Sequence, residues 1–248
     1  MNTRSIDGAH QVTYWTGLGV ELPEELTNAI AVFEAIRYTE VSYQPAFAIE
    51  DATPENVEEL IFNLAEQLAV RASQAGGGWS PLDAAKRHAL EEAARKVNKV
   101  ALPAVPEIIK QLTPEFDEHA AAYIAAIEQL PEEISPETLL EAGPDAVTAY
   151  GDAKREAAYL DKISGWVAST SALAGITETT IRILRPSTAL DLIKIDAAHQ
   201  TPADPVVAAI DPVLFTAARR GVEFAINTLR EARDLRDSLA VSPSSFRR

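Results

Sequence analysis

The residues of this chain best suited to chemistry cluster around His119. Residues 115–119 contain three acids and this histidine. Glu115 and His119 stand four positions apart, so on a helix they share a face and could chelate a metal ion. Two-metal sites in helical bundles need Glu three residues before His on two helices, but Phe116 occupies that position here. We therefore expect a solvated acidic first turn with His119 on a wet face, and no metal or cofactor.

Other catalytic patterns fail in the same way. The chain has no cysteine, which removes thiol catalysis and thiolate metal sites. Its glycine clusters, at 17–19 and 76–78, lack the Lys-Ser/Thr ending of a phosphate-binding loop. No Gly-x-Ser-x-Gly nucleophile motif occurs. The sequence therefore predicts a protein that is not an enzyme. The alternative is a helical enzyme or small-ligand-binding protein whose site forms only in three dimensions.

Tryptophans and arginines are the candidates for contact with a partner. Trp15 and Trp79 lie beside glycine-bearing loops, and an exposed tryptophan can anchor a protein interface. The chain carries a net charge of −15, but the segment from Asp211 to the C-terminus is +2. Such a basic helical end can dock on an acidic partner, including a second copy of the same protein. The predicted interaction residues are Trp15, Trp79, Arg219, Arg220, Arg230, Arg233 and Arg236.

Charge and hydropathy exclude two classes of partner. An acidic body repels phosphates, so we expect no nucleic acid. No stretch reaches the length of uninterrupted apolar residues that a membrane span needs, so we expect no membrane. The absence of cysteine is typical of a reducing compartment, which favours a bacterial or viral-host cytoplasm, or a virion.

Five short sequence motifs predict where helices begin. Each has Ser or Thr followed by Pro, and most have an acid soon after. The hydroxyl can cap a free helical amide, Pro fits the first helical position, and an acid there is favoured by the helix dipole. The motifs begin at Thr53, Ser80, Thr113, Ser135 and Thr201.

Apolar spacing of three and four residues then predicts a mainly α fold, a multi-helix bundle with a long central helix and at most a small β-ribbon. The helix at 144–173 is apolar on two sides and should be the central one. A final helix should keep one apolar stripe from Phe215 to Ala232. The predicted helices are 23–36, 54–74, 81–100, a short one before residue 113, 114–130, 136–142, 144–173 and 212–239.

Three segments look less helical. Residues 12–15 and 41–49 alternate in polarity and could pair as a ribbon. Residues 176–200 fit a β-hairpin, although the second piece, 188–198, fits a helix slightly better. We expect an acidic helical bundle domain at 1–175. A C-terminal segment at 176–248 should combine an irregular or β-like linker with an Arg-rich terminal helix.

These features together favour a structural role. The sequence predicts a non-enzymatic helical assembly protein that associates with itself or joins a larger complex. A phage virion or scaffold-type assembly would suit an acidic helical chain with a basic C-terminal helix, although that likeness is one of architecture.

Overall fold

The predicted fold class is confirmed in a computed structural model of the chain, which describes residues 3–39, 52–72, 81–175 and 179–240. The described part is mainly helical, with one two-stranded antiparallel ribbon. The elements are α1 (Thr3–Thr13), a 3₁₀ turn (Tyr14–Leu18), α2 (Glu24–Tyr38), α3 (Val57–Ala72), α4 (Pro81–Glu128), α5 (Pro136–Glu141), α6 (Pro144–Ser169), α7 (Ser171–Ala174), β1 (Leu184–Arg185), α8 (Ala189–Gln200), α9 (Pro205–Ala208), α10 (Pro212–Arg219), β2 (Glu223–Phe224) and α11 (Leu229–Leu239).

The chain divides into two compact units. The first contains Met1–Thr13 and Glu24–Val100, and the second contains Tyr14–Pro23 and Ala101–Arg248. The boundary expected at residue 175 falls inside the second unit.

The first unit has a small helical core. Val12, Leu26 and Phe33 are fully buried, and the Asn98 side-chain amide donates to the Ser5 carbonyl at 2.8 Å. The strand expected at residues 12–15 is wrong: the segment ends α1 and enters the 3₁₀ turn. Ala9 and Val12 are both buried at a spacing of three, which is helical rather than alternating. The pairing strand expected at 41–49 lies outside the described residues.

Helix α4 differs most from the helices predicted from the sequence. It runs for 48 residues through Pro103, Pro106 and Pro114, which were expected to separate three helices. A proline inside a helix removes one amide donor and crowds the carbonyl four residues earlier. Buried side chains nevertheless continue across all three prolines, and their burial offsets the lost bonds. They are Ala101, Ala104, Val105, Ile108, Leu112 and Phe116.

Helix α6 forms much of the core of the second unit. It ends at Ser169 rather than 173, and at 26 residues it is shorter than α4. Its buried side chains follow three- and four-residue spacing along one broad face of the helix, rather than the two apolar sides expected from the sequence. Tyr123 of α4 is also buried, and its hydroxyl donates to the Ile210 carbonyl at 2.7 Å.

The predicted helix starts have mixed outcomes. Ser135 caps α5 and forms a capping box with Thr138, with Pro136 in the first turn, so that prediction is confirmed. Thr113 is wrong as a start, because it lies inside α4 and its hydroxyl donates to the Ile109 carbonyl. Thr201 is also wrong: it ends α8, and Asp204 caps the next helix instead.

The long C-terminal helix expected at 212–239 is also wrong. Helix α10 ends at Arg219, Gly221 has a φ of +65°, and α11 begins only after Thr228. A left-handed glycine reverses the chain at low cost, and Thr228 forms a capping box with Glu231 that starts the new helix. The predicted apolar stripe from Phe215 to Ala232 is therefore split between two helices and the residues on either side of β2.

The strand β2, which lies between α10 and α11, pairs with a strand in the segment 176–200. β2 pairs antiparallel with β1, with Leu184 opposite Phe224 and Arg185 opposite Glu223. The local hairpin is thus wrong, because its first half pairs with a strand about forty residues further on. Its second half forms helix α8, which confirms the favoured alternative. The Thr188 hydroxyl accepts from the Asp191 amide at the start of that helix.

Asp211 is the one residue other than glycine with a positive φ among the described residues, at +62°. Its carboxylate accepts from the amides of Val213 and Leu214 and so caps α10. Asp211→Ala should lower the free energy of unfolding by about 2 kcal/mol, because it removes the cap and strains the backbone.

Asp211→Asn is the matched control, since Asn also caps and tolerates a positive φ. Burial raises the pKa of Asp211, so ionisation opposes folding above the ordinary aspartate pKa. The Asn variant should therefore match or exceed the native stability in urea denaturation at neutral pH. An Asn variant as unstable as the Ala variant would contradict this account.

Candidate functional site

A close His–carboxylate contact joins α4 to α6. The Nδ1 atom of His119 lies 2.5 Å from Oε2 of Glu156. Glu156 is 5% exposed and lies on the same helical stripe as the buried Ala153, Ala157 and Leu160. Glu156 is not among the residues predicted from the sequence. The available signal was an acid in an apolar row, but nothing local indicates that its partner lies 37 residues away.

The Glu156 carboxylate has a second partner, the cation of Arg155. Arg155 donates to Oε1 of Glu156 at 2.9 Å and also to the exposed Asp152 carboxylate at 2.8 Å. Burial by itself would raise the pKa of Glu156, but the hydrogen bonds from His119 and Arg155 outweigh it and hold this pKa below its usual value. Glu156 is therefore an ionised, internally compensated carboxylate.

Tyr159 completes the cluster. Its ring stacks on His119, with centroids 3.8 Å apart and planes 22° from parallel. Burial, together with the Glu115 carboxylate, raises the pKa of Tyr159 to about 12. Nε2 of His119 faces Glu115 at 3.9 Å. The sequence analysis expected Glu115 and His119 to share a face, but it placed them on the first turn of a helix. They lie well inside α4 instead.

This arrangement could orient an imidazole for proton exchange. A carboxylate on Nδ1 is how many active sites hold a histidine. Here the ring face is covered by Tyr159, and Glu156 also serves Arg155. Within the described residues, no group of three or more His, Cys, Asp or Glu side chains could hold a metal ion. The contacts of His119 are thus those of a partly buried hydrogen bond that joins two helices.

Of the two tryptophans predicted to anchor an interface, the structure describes Trp15. Trp15 is 1% exposed, and its ring packs edge-on against Trp166 with centroids 5.8 Å apart. The expectation that Trp15 could be exposed is wrong. Trp79 lies outside the described residues.

Three of the five candidate arginines are held within the second unit. Arg219 donates to the carbonyls of Leu130 and Pro131. Arg220 pairs with Asp191 at 2.7 Å, and Arg236 pairs with Asp196 at 2.6 Å.

Arg230 and Arg233 are the two that remain accessible. Both are exposed on α11. Arg233 lies 3.7 Å from the exposed Asp237, and Arg230 forms no ion pair with the described residues. Of these two exposed cations, Arg230 lines an apolar cavity.

We call this cavity the α11 cavity. It has a volume of about 330 Å³ and lies within the second unit. Most of its wall is apolar, and Arg230 is its cationic member. The Thr170 hydroxyl is already donated to the Val167 carbonyl, so Arg230 is the main polar group available to an occupant. The lining residues are Leu102, Val105, Pro106, Thr170, Thr228, Leu229 and Arg230.

Helix α3 presents a second apolar surface, in the first unit. None of its residues whose burial the structure describes is buried. Val57, Ile61 and Leu68 follow helical spacing along one side, and Phe62 adjoins them. They are 36%, 56%, 47% and 66% exposed, in the order Val57, Ile61, Leu68 and Phe62. We call these four side chains the α3 apolar row.

Comparison with known proteins adds no assignment: no protein-family model, curated protein or solved structure matches the chain. Within the described ranges, every helix is too short or too polar to cross a membrane.

Proposed function

We propose that this chain is a non-enzymatic helical protein that acts by self-association, alone or within a larger assembly. The α3 apolar row is the observation that carries the proposal. Single exposed apolar side chains are ordinary on protein surfaces, but a contiguous group marks an interaction site. Here four such side chains share one 16-residue helix.

The energetics of α3 support the same proposal. An isolated helix of this length is marginal in water, because most helical stability in proteins comes from packing of an apolar face. Contact with another protein surface would supply that packing. Burying a large aliphatic or aromatic side chain contributes about 1.5–3 kcal/mol, so a few such residues could drive a reversible association.

The setting that we propose is a virion or scaffold-type assembly. Its support is the acidic helical body with accessible arginines on its last described helix. The His119–Glu156 cluster fits this function as an internal tie between α4 and α6, with no substrate required.

The proposal is tested by measuring molar mass with light scattering after size exclusion, over a range of concentrations. The native chain should rise above its monomer mass of 26.8 kDa as concentration increases. Ile61→Gln together with Leu68→Gln should weaken association about 100-fold, since each substitution removes roughly 1.4 kcal/mol or more of apolar burial. Gln retains good helix propensity.

Leu140→Gln is the matched control. Leu140 is 75% exposed on α5 and lies outside the α3 apolar row, so this variant should associate like the native chain. A native chain that stays at monomer mass at every concentration would overturn the proposal. Equal association by the control and the double variant would remove α3 from it.

A further inference from the structure

We propose that the α3 apolar row of one copy docks against the α11 cavity of a second copy. This inference rests on the proposed self-association and names the surface that receives α3. The occupant of the cavity is then a helix of another molecule of the same protein.

The two surfaces match in polarity. The α11 cavity has apolar walls from Leu102, Val105, Pro106 and Leu229, and Leu102 is 43% exposed. At about 30 Å³ for each water molecule, the cavity could hold about eleven waters. The benzyl group of Phe62, the most exposed member of the α3 apolar row, is smaller than that. It could therefore enter the cavity while Ile61 or Leu68 covers its rim.

The two surfaces are also opposite in charge. The first turn of α3 carries Glu58 and Glu59, both exposed. The cavity is lined by Arg230, and the exposed Arg233 lies three residues further along α11, 3.7 Å from Asp237. Neither glutamate forms an ion pair with the described residues. Opposite charges around an apolar contact steer the encounter and set its orientation. A pairing of two α3 helices would place acids near acids unless they were antiparallel, whereas the α11 cavity offers the Arg230 guanidinium directly.

The pairing has a consequence for symmetry. Because α3 and the α11 cavity are different surfaces, the contact is head-to-tail, so it leaves one free surface of each kind. Such a contact closes into a ring if the rotation permits, and otherwise grows as a filament. Either product is compatible with a structural assembly.

The test uses two charge-reversed forms of the full chain. One carries Glu58→Lys and Glu59→Lys, and the other carries Arg230→Glu and Arg233→Glu. Each alone should associate at least tenfold more weakly than the native chain, because like charges then meet at the contact. An equal mixture of the two should recover native association, since both contacts between unlike copies are again complementary. A chain carrying all four substitutions should also recover it.

Controls separate this inference from the function on which it rests. Glu132→Lys with Glu133→Lys reverses an exposed acidic pair outside both surfaces, and it should associate like the native chain. Native association that survives Arg230→Glu with Arg233→Glu overturns the inference and leaves self-association standing. Failure of the mixture to recover association also overturns it. A native chain that never associates overturns both. Circular dichroism and thermal melting of each variant establish that it is folded.

Discussion

Replacing Glu156 with Gln should lower the free energy of unfolding of the second unit by about 2 kcal/mol at neutral pH. The carboxylate is buried and bonded to His119 and Arg155. Removing one partner of a buried ion pair leaves charge without compensation and costs about 3–5 kcal/mol. The cost should be smaller here, because Arg155 is largely exposed and His119 partly so.

Asp152→Asn is the matched control, because Asp152 binds the same arginine at 2.8 Å but is 45% exposed. An exposed pair contributes about 0.2–1 kcal/mol, so this variant should change stability much less. Urea denaturation followed by tryptophan fluorescence in a Trp79→Phe background measures both, since Trp15 and Trp166 report on the second unit. Equal effects of the two substitutions would contradict a buried, compensated Glu156.

The pH dependence of the Glu156 effect has a defined sign. The pKa of Glu156 is held below the ordinary value of 4.5, so the folded state binds this proton less readily than the unfolded state does. The carboxylate therefore stabilises the fold above pH 4.5, and this contribution is lost as the pH falls through the lowered pKa. The stability difference between the native chain and Glu156→Gln should be full at neutral pH and shrink below pH 4.5.

Replacing Asn227 with Ala should also destabilise the second unit, by about 2–3 kcal/mol. Asn227 is 1% exposed, and its side-chain amide donates to the carbonyls of Ile181 and Leu184 at 3.0 Å each. Ile181 precedes β1, Leu184 is the first residue of β1, and Asn227 follows β2. A buried polar group left without its partner costs about 1–3 kcal/mol. Truncation also removes the oxygen that accepts from Arg185 at 2.8 Å.

Two further variants locate the origin of this effect. Arg185→Gln loses its charged bond to Asn227, but Arg185 is 44% exposed, so this loss should be well below the Ala effect. Asn227→Asp keeps the acceptor for Arg185 and loses both donated bonds. It should be at least as unstable as Asn227→Ala at neutral pH, because a carboxylate then faces two carbonyl oxygens. A stable Asp variant would show that the donated bonds contribute little.

Comparison of particular elements shows how far sequence reasoning reaches. Helix α5 was predicted correctly because Ser135, Pro136 and Thr138 carry its start within four residues. Helix α8 was favoured over a strand for a similar local reason, its spacing of Leu190, Ile193 and Ala197. Helix α4 was divided in error because the proline rule describes a helix without tertiary contacts. The burial that overrides the rule depends on residues distant in sequence.

The candidate site shows the same limit more sharply. The four-residue spacing of Glu115 and His119 was evident from the sequence. The residue that binds the imidazole, however, is Glu156 on another helix. Of the seven predicted interaction residues, Trp15 is buried, while Arg219, Arg220 and Arg236 are bound within their own unit. Arg230 and Arg233 remain accessible, and their part in self-association stays a prediction. The exposure of the α3 apolar row could not be predicted either, because the spacing of apolar residues does not show what covers them.

The sequence by itself determined the helical class, the absence of cysteine chemistry and the start of α5 at Ser135. These follow from interactions across a few residues, which spacing and side-chain chemistry encode directly. Only the tertiary structure decided that α4 continues through three prolines, that β1 pairs with β2 and that Glu156 meets His119. Each of these features depends on burial or on partners dozens of residues apart in the sequence. No local sequence pattern identifies those distant partners.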